Sequence, residues 1–65
     1  MTLSDLSERE MDVLVLIDGH RTNRQIATEL VLSVRTIEWH VSNILTKLPA
    51  ADRLDAARIY REQTG

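Results

Sequence analysis

Sixty-five residues suffice for one small domain with a single modest core and leave little room to enclose an active-site cleft. With 43% apolar and 28% charged residues, the composition is that of a folded globular chain rather than a disordered one. Cysteine and Phe are absent, which excludes disulfides, thiolate metal sites and thiol nucleophiles and leaves a core of Leu, Ile, Val, Ala and Met.

The net charge of −2 is unevenly spread. Residues 1–19 set Arg9 against Asp5, Glu8, Glu10, Asp12 and Asp18, a net −4. Residues 20–47 set Arg21, Arg24, Arg35 and Lys47 against Glu29 and Glu38, a net +2, and residues 48–65 balance. The middle segment is therefore the place to look for a polyanion surface, although two surplus charges are a weak signal by themselves. The longest apolar run, Val13 to Ile17, is far too short to span a bilayer, and no basic-then-apolar signal segment opens the chain. A cytoplasmic location is the expectation.

Helix starts recur along the chain. Ser7-Glu8-Arg9-Glu10 is a capping box: a hydroxyl that can accept from the third helical amide, with a carboxylate placed to reach back. Leu6 before it stands in the hydrophobic-staple position, and Glu10, Val13, Leu14 and Ile17 share one face of the helix that follows. Gly19 after this stripe is expected to end the helix in the left-handed conformation. Thr22-Asn23-Arg24-Gln25 is a second box, opening a helix with Ile26, Ala27 and Leu30 on its inner side.

Ser33-Val34-Arg35-Thr36 opens a third helix, in which Ile37, Val41, Ile44 and Leu48 recur at spacings of four, three and four, and Pro49 stops it. Asp52-Arg53-Leu54-Asp55 is a looser fourth start, followed by the apolar Ala56, Ala57, Ile59 and Tyr60. Helices are expected at about 7–18, 23–31, 34–48 and 53–62. No segment keeps a period of two, so the fold class is all-α, a compact four-helix domain over residues 1–65 without strands.

The link Leu30-Val31-Leu32-Ser33 joins the second and third helices through a very short turn. A short helix, a tight turn and a capped following helix form the helix-turn-helix arrangement, which projects the second helix of the pair toward a DNA major groove.

These residues carry a resemblance. Leu6-Ser7-Glu8-Arg9-Glu10-Met11-Asp12-Val13-Leu14, Thr22-Asn23-Arg24-Gln25-Ile26-Ala27, Leu32-Ser33-Val34-Arg35-Thr36-Ile37, the His40…Ile44…Lys47-Leu48 spacing and Asp52-Arg53-Leu54-Asp55-Ala56 are similar, in order, to the blocks of LuxR-type helix-turn-helix domains. That family comprises quorum-sensing regulators and two-component response regulators, and the blocks cover residues 6–60. The resemblance implies a bacterial transcription regulator that binds double-stranded DNA, with the third helix as recognition helix.

Its outward face would hold Arg35, Glu38, Trp39, Ser42, Asn43 and Thr46. Glu38, Trp39 and Ser42 would face bases. Asn23, Arg24, Ser33, Arg35, Thr36, Asn43 and Lys47 would meet the DNA backbone. Ala56, Ala57, Ile59 and Tyr60 of the fourth helix would make a weak homodimer contact, placing two protomers on an inverted repeat. Two departures stand out: the place of Glu38 is commonly Lys or Arg in the family, and the family's Gly after the Lys-Leu pair is Pro49 here. Domains of this type usually follow a receiver or ligand-binding domain, and none lies within these residues.

Two other readings differ in class. Glu38 and the acidic balance would suit a protein-interaction or dimerisation module that kept the fold and lost DNA binding, which a salt-sensitive gel shift separates from the first reading. An enzyme is not expected: His20 and His40 are the only histidines, and there is no Gly-rich phosphate loop, paired buried carboxylate or metal-ligand spacing. No cofactor, metal or small-molecule ligand is expected. His20 reads as a solvated loop residue and His40 as a packed, hydrogen-bonded one.

Overall fold

A computed structural model describes residues 3–64. After a single 3₁₀ turn at Leu3–Asp5, which the sequence pattern did not signal, come α1 (Glu8–Asp18), α2 (Asn23–Leu30), α3 (Val34–Lys47) and α4 (Arg53–Thr64). No strand occurs among the described residues. The four expected helices are present within a residue or two at each boundary, and α4 runs to Thr64 rather than stopping near residue 62.

The starts form for the local reason the sequence suggested. The Ser7 hydroxyl accepts from the Glu10 amide at 3.2 Å while the Glu10 carboxylate accepts from the Ser7 amide at 2.8 Å. Thr22 and Gln25 make the same reciprocal pair at 3.1 and 2.9 Å. Ser33 Oγ accepts from the Thr36 amide at 3.1 Å and shares a hydroxyl–hydroxyl bond of 2.8 Å with Thr36. Asp52 accepts from the Asp55 amide at 2.9 Å, and the Asp55 carboxylate reaches past it to the Ala51 amide, also at 2.9 Å. Each such cap is worth about 1 kcal/mol.

The helix ends differ from the expectation. Gly19 sits at φ −79, an ordinary right-handed value, and the left-handed residue is the next one, His20, at φ 62. The Arg21 amide then bonds the Leu16 carbonyl at 3.1 Å and the His20 amide bonds Ile17 at 3.0 Å, the two bonds of a Schellman turn. The end of α2 repeats this with Val31 at φ 57, Leu32 bonding Ala27 at 2.9 Å and Val31 bonding Thr28 at 3.3 Å. The end of α3 repeats it again with Pro49 at φ 27 and Ala50 bonding Leu45 at 3.0 Å. Pro49 has no amide hydrogen, so the second bond of that turn cannot form. Three consecutive helices thus end through left-handed residues, none of them glycine.

The core consists of Val13, Leu14 and Ile17 of α1, Ile26 and Ala27 of α2, Ile37 and Ile44 of α3, Leu48, and Ala56 and Ala57 of α4. Burying each of the larger side chains contributes about 1.5–3 kcal/mol. Helix α4 packs chiefly along α1, and α3 is seated against both α1 and α2. Holding α3 by its Ile37–Ile44 side leaves the opposite side of a helix about 21 Å long facing outward. No helix among the described residues is long and apolar enough to cross a membrane.

Candidate nucleic-acid interface

Turning 100° per residue, α3 places Arg35, Glu38, Trp39, Ser42 and Thr46 on one stripe opposite its buried residues, and all five are exposed. Asn43 borders this stripe and is half-buried. Trp39, the only tryptophan, is 63% exposed. Its ring leans over His40 at 5.2 Å between centroids and 57° between planes. His40 is half-buried, and its Nδ1 is sealed from solvent without a hydrogen-bond partner, so the hydrogen bond expected of a packed histidine is missing at that atom. His20 is exposed, as expected of a loop residue.

The residues expected at the DNA backbone divide into free and engaged ones. At the capped start of α3, Ser33 is exposed and Thr36 half-buried, and their hydroxyls bond each other. Arg24 on α2 and Arg35 on α3 are exposed, and neither forms an ion pair among the described residues. Arg21, beside Arg24, is paired with Glu29 at 3.2 Å. Glu38 is exposed and forms no ion pair among the described residues: Arg35, three residues before it, does not close on it.

Lys47 and Asn23 are spent on the fold. The Lys47 ammonium donates to buried Glu10 at 2.7 Å while its own side chain stays 39% exposed. Burial by itself would push the Glu10 carboxyl up. The Lys47 bond and charge and the Ser7 amide outweigh this and hold it below the ordinary value of 4.5. Asn23 Oδ1 accepts from Arg53 Nη1 at 2.7 Å, and Arg53 Nη2 donates to the Arg21 carbonyl at 2.9 Å. Arg53 therefore ties the start of α4 to the loop before α2. The sequence reading missed this role, because the partners lie about thirty residues away and no local spacing announces them.

The fourth helix also departs from expectation. Ala56 is fully buried and Ala57 nearly so, both inside the protomer's own core, so neither has surface left for a partner. Ile59 and Tyr60 are half-buried against the same core, and the apolar side chain that α4 exposes is Leu54, at 71%. Arg58 bridges Asp55 and Glu62 along the outer face at 2.6 and 2.8 Å, and Arg61 crosses to Asp18 at the end of α1. The Ala51 amide and the Arg58 guanidinium hold the Asp55 carboxyl below its usual range. No cluster of three or more metal-ligating side chains occurs among the described residues.

The model of the family described as bacterial regulatory proteins, luxR family, matches residues 4–60. The chain belongs to this family. Its helix-turn-helix is of the DNA-binding, transcription-regulating kind. The chain is 42% identical over 52 residues to the transcriptional regulatory protein LiaR of Bacillus subtilis, covering 80% of this chain and 25% of that one. It is 45% identical over 58 residues to the response regulator protein VraR of Staphylococcus aureus, covering 89% and 27%. It is 48% identical over 52 residues to the uncharacterized transcriptional regulatory protein YhcZ of Bacillus subtilis, covering 80% and 24%. The chain thus spans about a quarter of the length of the curated relatives it matches.

Proposed function

We propose that this domain binds double-stranded DNA sequence-specifically as the output part of a cytoplasmic response regulator, with α3 lying in the major groove. The observation that carries the reading is the exposed stripe of α3. Glu38, Trp39 and Ser42 occupy its centre: Glu38 and Ser42 make no side-chain bond among the described residues, and Trp39, which leans on His40, is 63% exposed. Side chains that the fold does not need, on a helix narrow enough for a groove about 12 Å wide, are what base readout requires. Ser33, Thr36, Arg35 and Arg24 surround that centre and would position the domain on phosphates, with Asn43 at the edge of the stripe. Asn23 and Lys47 would contribute less than their place in the family suggests, because Arg53 and Glu10 already engage them. Two protomers would meet weakly through α4 on an inverted repeat.

The test is a titration of duplex DNA followed by gel shift and by Trp39 fluorescence, repeated across salt concentrations. With Arg24 and Arg35 as the cations without an ion pair among the described residues, and Arg21 and Lys47 drawn in at most in part, log affinity should fall against log salt with a slope of about −2 to −4 per protomer, by roughly −0.9 per phosphate. Trp39 emission should change on binding. Glu38 leaves the stripe without net charge against Arg35, which would also suit a protein-interaction module that has lost DNA binding. Salt-independent association with unchanged Trp39 emission would favour that second reading.

A further inference from the structure

Resting on the reading of α3 as the groove-reading helix, we infer that Glu38 selects a cytosine in each half-site and rejects a guanine there. The Glu38 carboxylate lies one turn into α3 from the Ser33 cap, is exposed, and makes no hydrogen bond or ion pair among the described residues. It is therefore free to bond a ligand, and when ionised it can only accept.

The major-groove edges then sort themselves. Guanine offers N7 and O6, both acceptors, and thymine offers O4 and a methyl group, so neither can satisfy a carboxylate. Only cytosine N4 and adenine N6 donate. In adenine the amino group stands beside the N7 lone pair, which would face the second carboxylate oxygen. In cytosine it stands beside a C–H bond, which does not repel.

Trp39 sharpens the choice. It neighbours Glu38 on the stripe and is 63% exposed, so docking α3 would press an indole against the bases and drive water out around the carboxylate. A carboxylate dried in front of an acceptor loses its hydration and gains no bond, so the wrong base costs more than the right base gains. Arg35 and Glu38 also cancel in charge, so the exposed stripe of α3 adds little sequence-independent attraction, and the base contact decides more of the binding.

The experiment is selection of bound sequences from a random double-stranded DNA pool by the 65-residue chain and by Glu38→Ala, Glu38→Gln and Glu38→Lys, with thermal melts to confirm equal folding. Exposed, unbonded Glu38 leaves no packing to lose. The wild type should enrich cytosine over guanine by about tenfold or more at one position per half-site. Alanine should flatten that position alone, glutamine should move it to adenine, and lysine to guanine. A site whose preferences all survive Glu38→Ala overturns the inference and leaves DNA binding standing. Wild-type enrichment of adenine, guanine or thymine at the Glu38-dependent position overturns it as well. No enriched sequence at all removes the DNA-binding reading together with it.

Discussion

The Lys47 ammonium stands 2.7 Å from the Glu10 carboxylate oxygen that also accepts the Ser7 amide at 2.8 Å, so one oxygen both caps α1 and anchors the last turn of α3. The two partners are unequal: Glu10 is 4% exposed, whereas Lys47 keeps more than a third of its side chain in water. Removing the ammonium by Lys47→Met strands a buried carboxylate on a single amide and should destabilise the domain by about 1–3 kcal/mol. Glu10→Gln keeps an oxygen for Ser7 and releases a lysine that can rehydrate, so it should cost less. Chemical denaturation of the two variants checks the order. The same pair of variants separates Lys47's structural part from any contact with phosphate: Glu10→Gln frees the ammonium and should tighten non-specific DNA binding while the fold weakens. Unchanged DNA binding in that variant would leave Lys47 a purely structural residue.

Acid should act through Glu10 and Asp55. Glu10 and Asp55 are held below their ordinary values, so in the folded protein they bind fewer protons than in the unfolded chain once the pH nears those values. Stability from such groups is complete above the unfolded value and is lost as the pH falls through the folded one. Unfolding free energy should therefore be insensitive to these carboxyls near neutrality and should decline below about the ordinary glutamate value of 4.5. Denaturation midpoints measured in steps from pH 7 to pH 3 show the decline, and Glu10→Gln should make it shallower. An unaltered profile in that variant would mean that other carboxylates carry the acid sensitivity.

The turn between α2 and α3 gives a stabilising substitution. Val31 adopts φ 57 while 88% exposed, so a β-branched side chain bears a left-handed backbone and buries almost nothing in return. Left-handed backbone costs an L-residue about 1–2 kcal/mol, and glycine avoids that cost while losing about 0.4–1 kcal/mol through a freer unfolded chain. Val31→Gly should gain on the order of 1 kcal/mol, a rise in melting temperature of about 4–8 °C for a domain of this size. Pro49→Gly should act in the same direction, since glycine restores the amide that the Schellman turn lacks. A fall in melting temperature for Val31→Gly would show that the valine contributes packing that outweighs its backbone.

These turns mark where the sequence stopped being readable. A helix start is written locally, a hydroxyl or carboxylate with its acceptor three residues on, and Ser7, Thr22, Ser33 and Asp52 all cap as their spacing suggests. A helix end reads as locally only when glycine marks it. Here His20, Val31 and Pro49 hold the left-handed place at the helix ends, while Gly19 takes an ordinary conformation. The exposed stripe of α3 was legible because Ile37 and Ile44 fix which side of the helix faces inward. That Asn23 is already engaged was not legible, since its partner Arg53 lies 30 residues away.

Assembly through α4 would rest on less surface than the alanine-rich sequence suggested, because the core takes up Ala56 and Ala57. What remains is Leu54, 71% exposed, with the outer edges of Ile59 and Tyr60 and the charged row of Asp55, Arg58 and Glu62. An interface of that extent is too small to hold free protomers together, since stable pairs bury about 800 Å² per partner. DNA can still bring two protomers into register on an inverted repeat, where even a weak contact becomes intramolecular. The domain should therefore sediment as a monomer alone and as two protomers on a full inverted repeat. Across a two-fold axis each substitution acts twice, so Leu54→Glu should lower binding to the full repeat by about 2 kcal/mol, some 30-fold, while leaving binding to one half-site unchanged. Sedimentation velocity and half-site titrations read the two effects separately. A Leu54→Glu variant that binds the full repeat as tightly as the wild type would place the dimer contact, if the protein makes one, away from this end of α4.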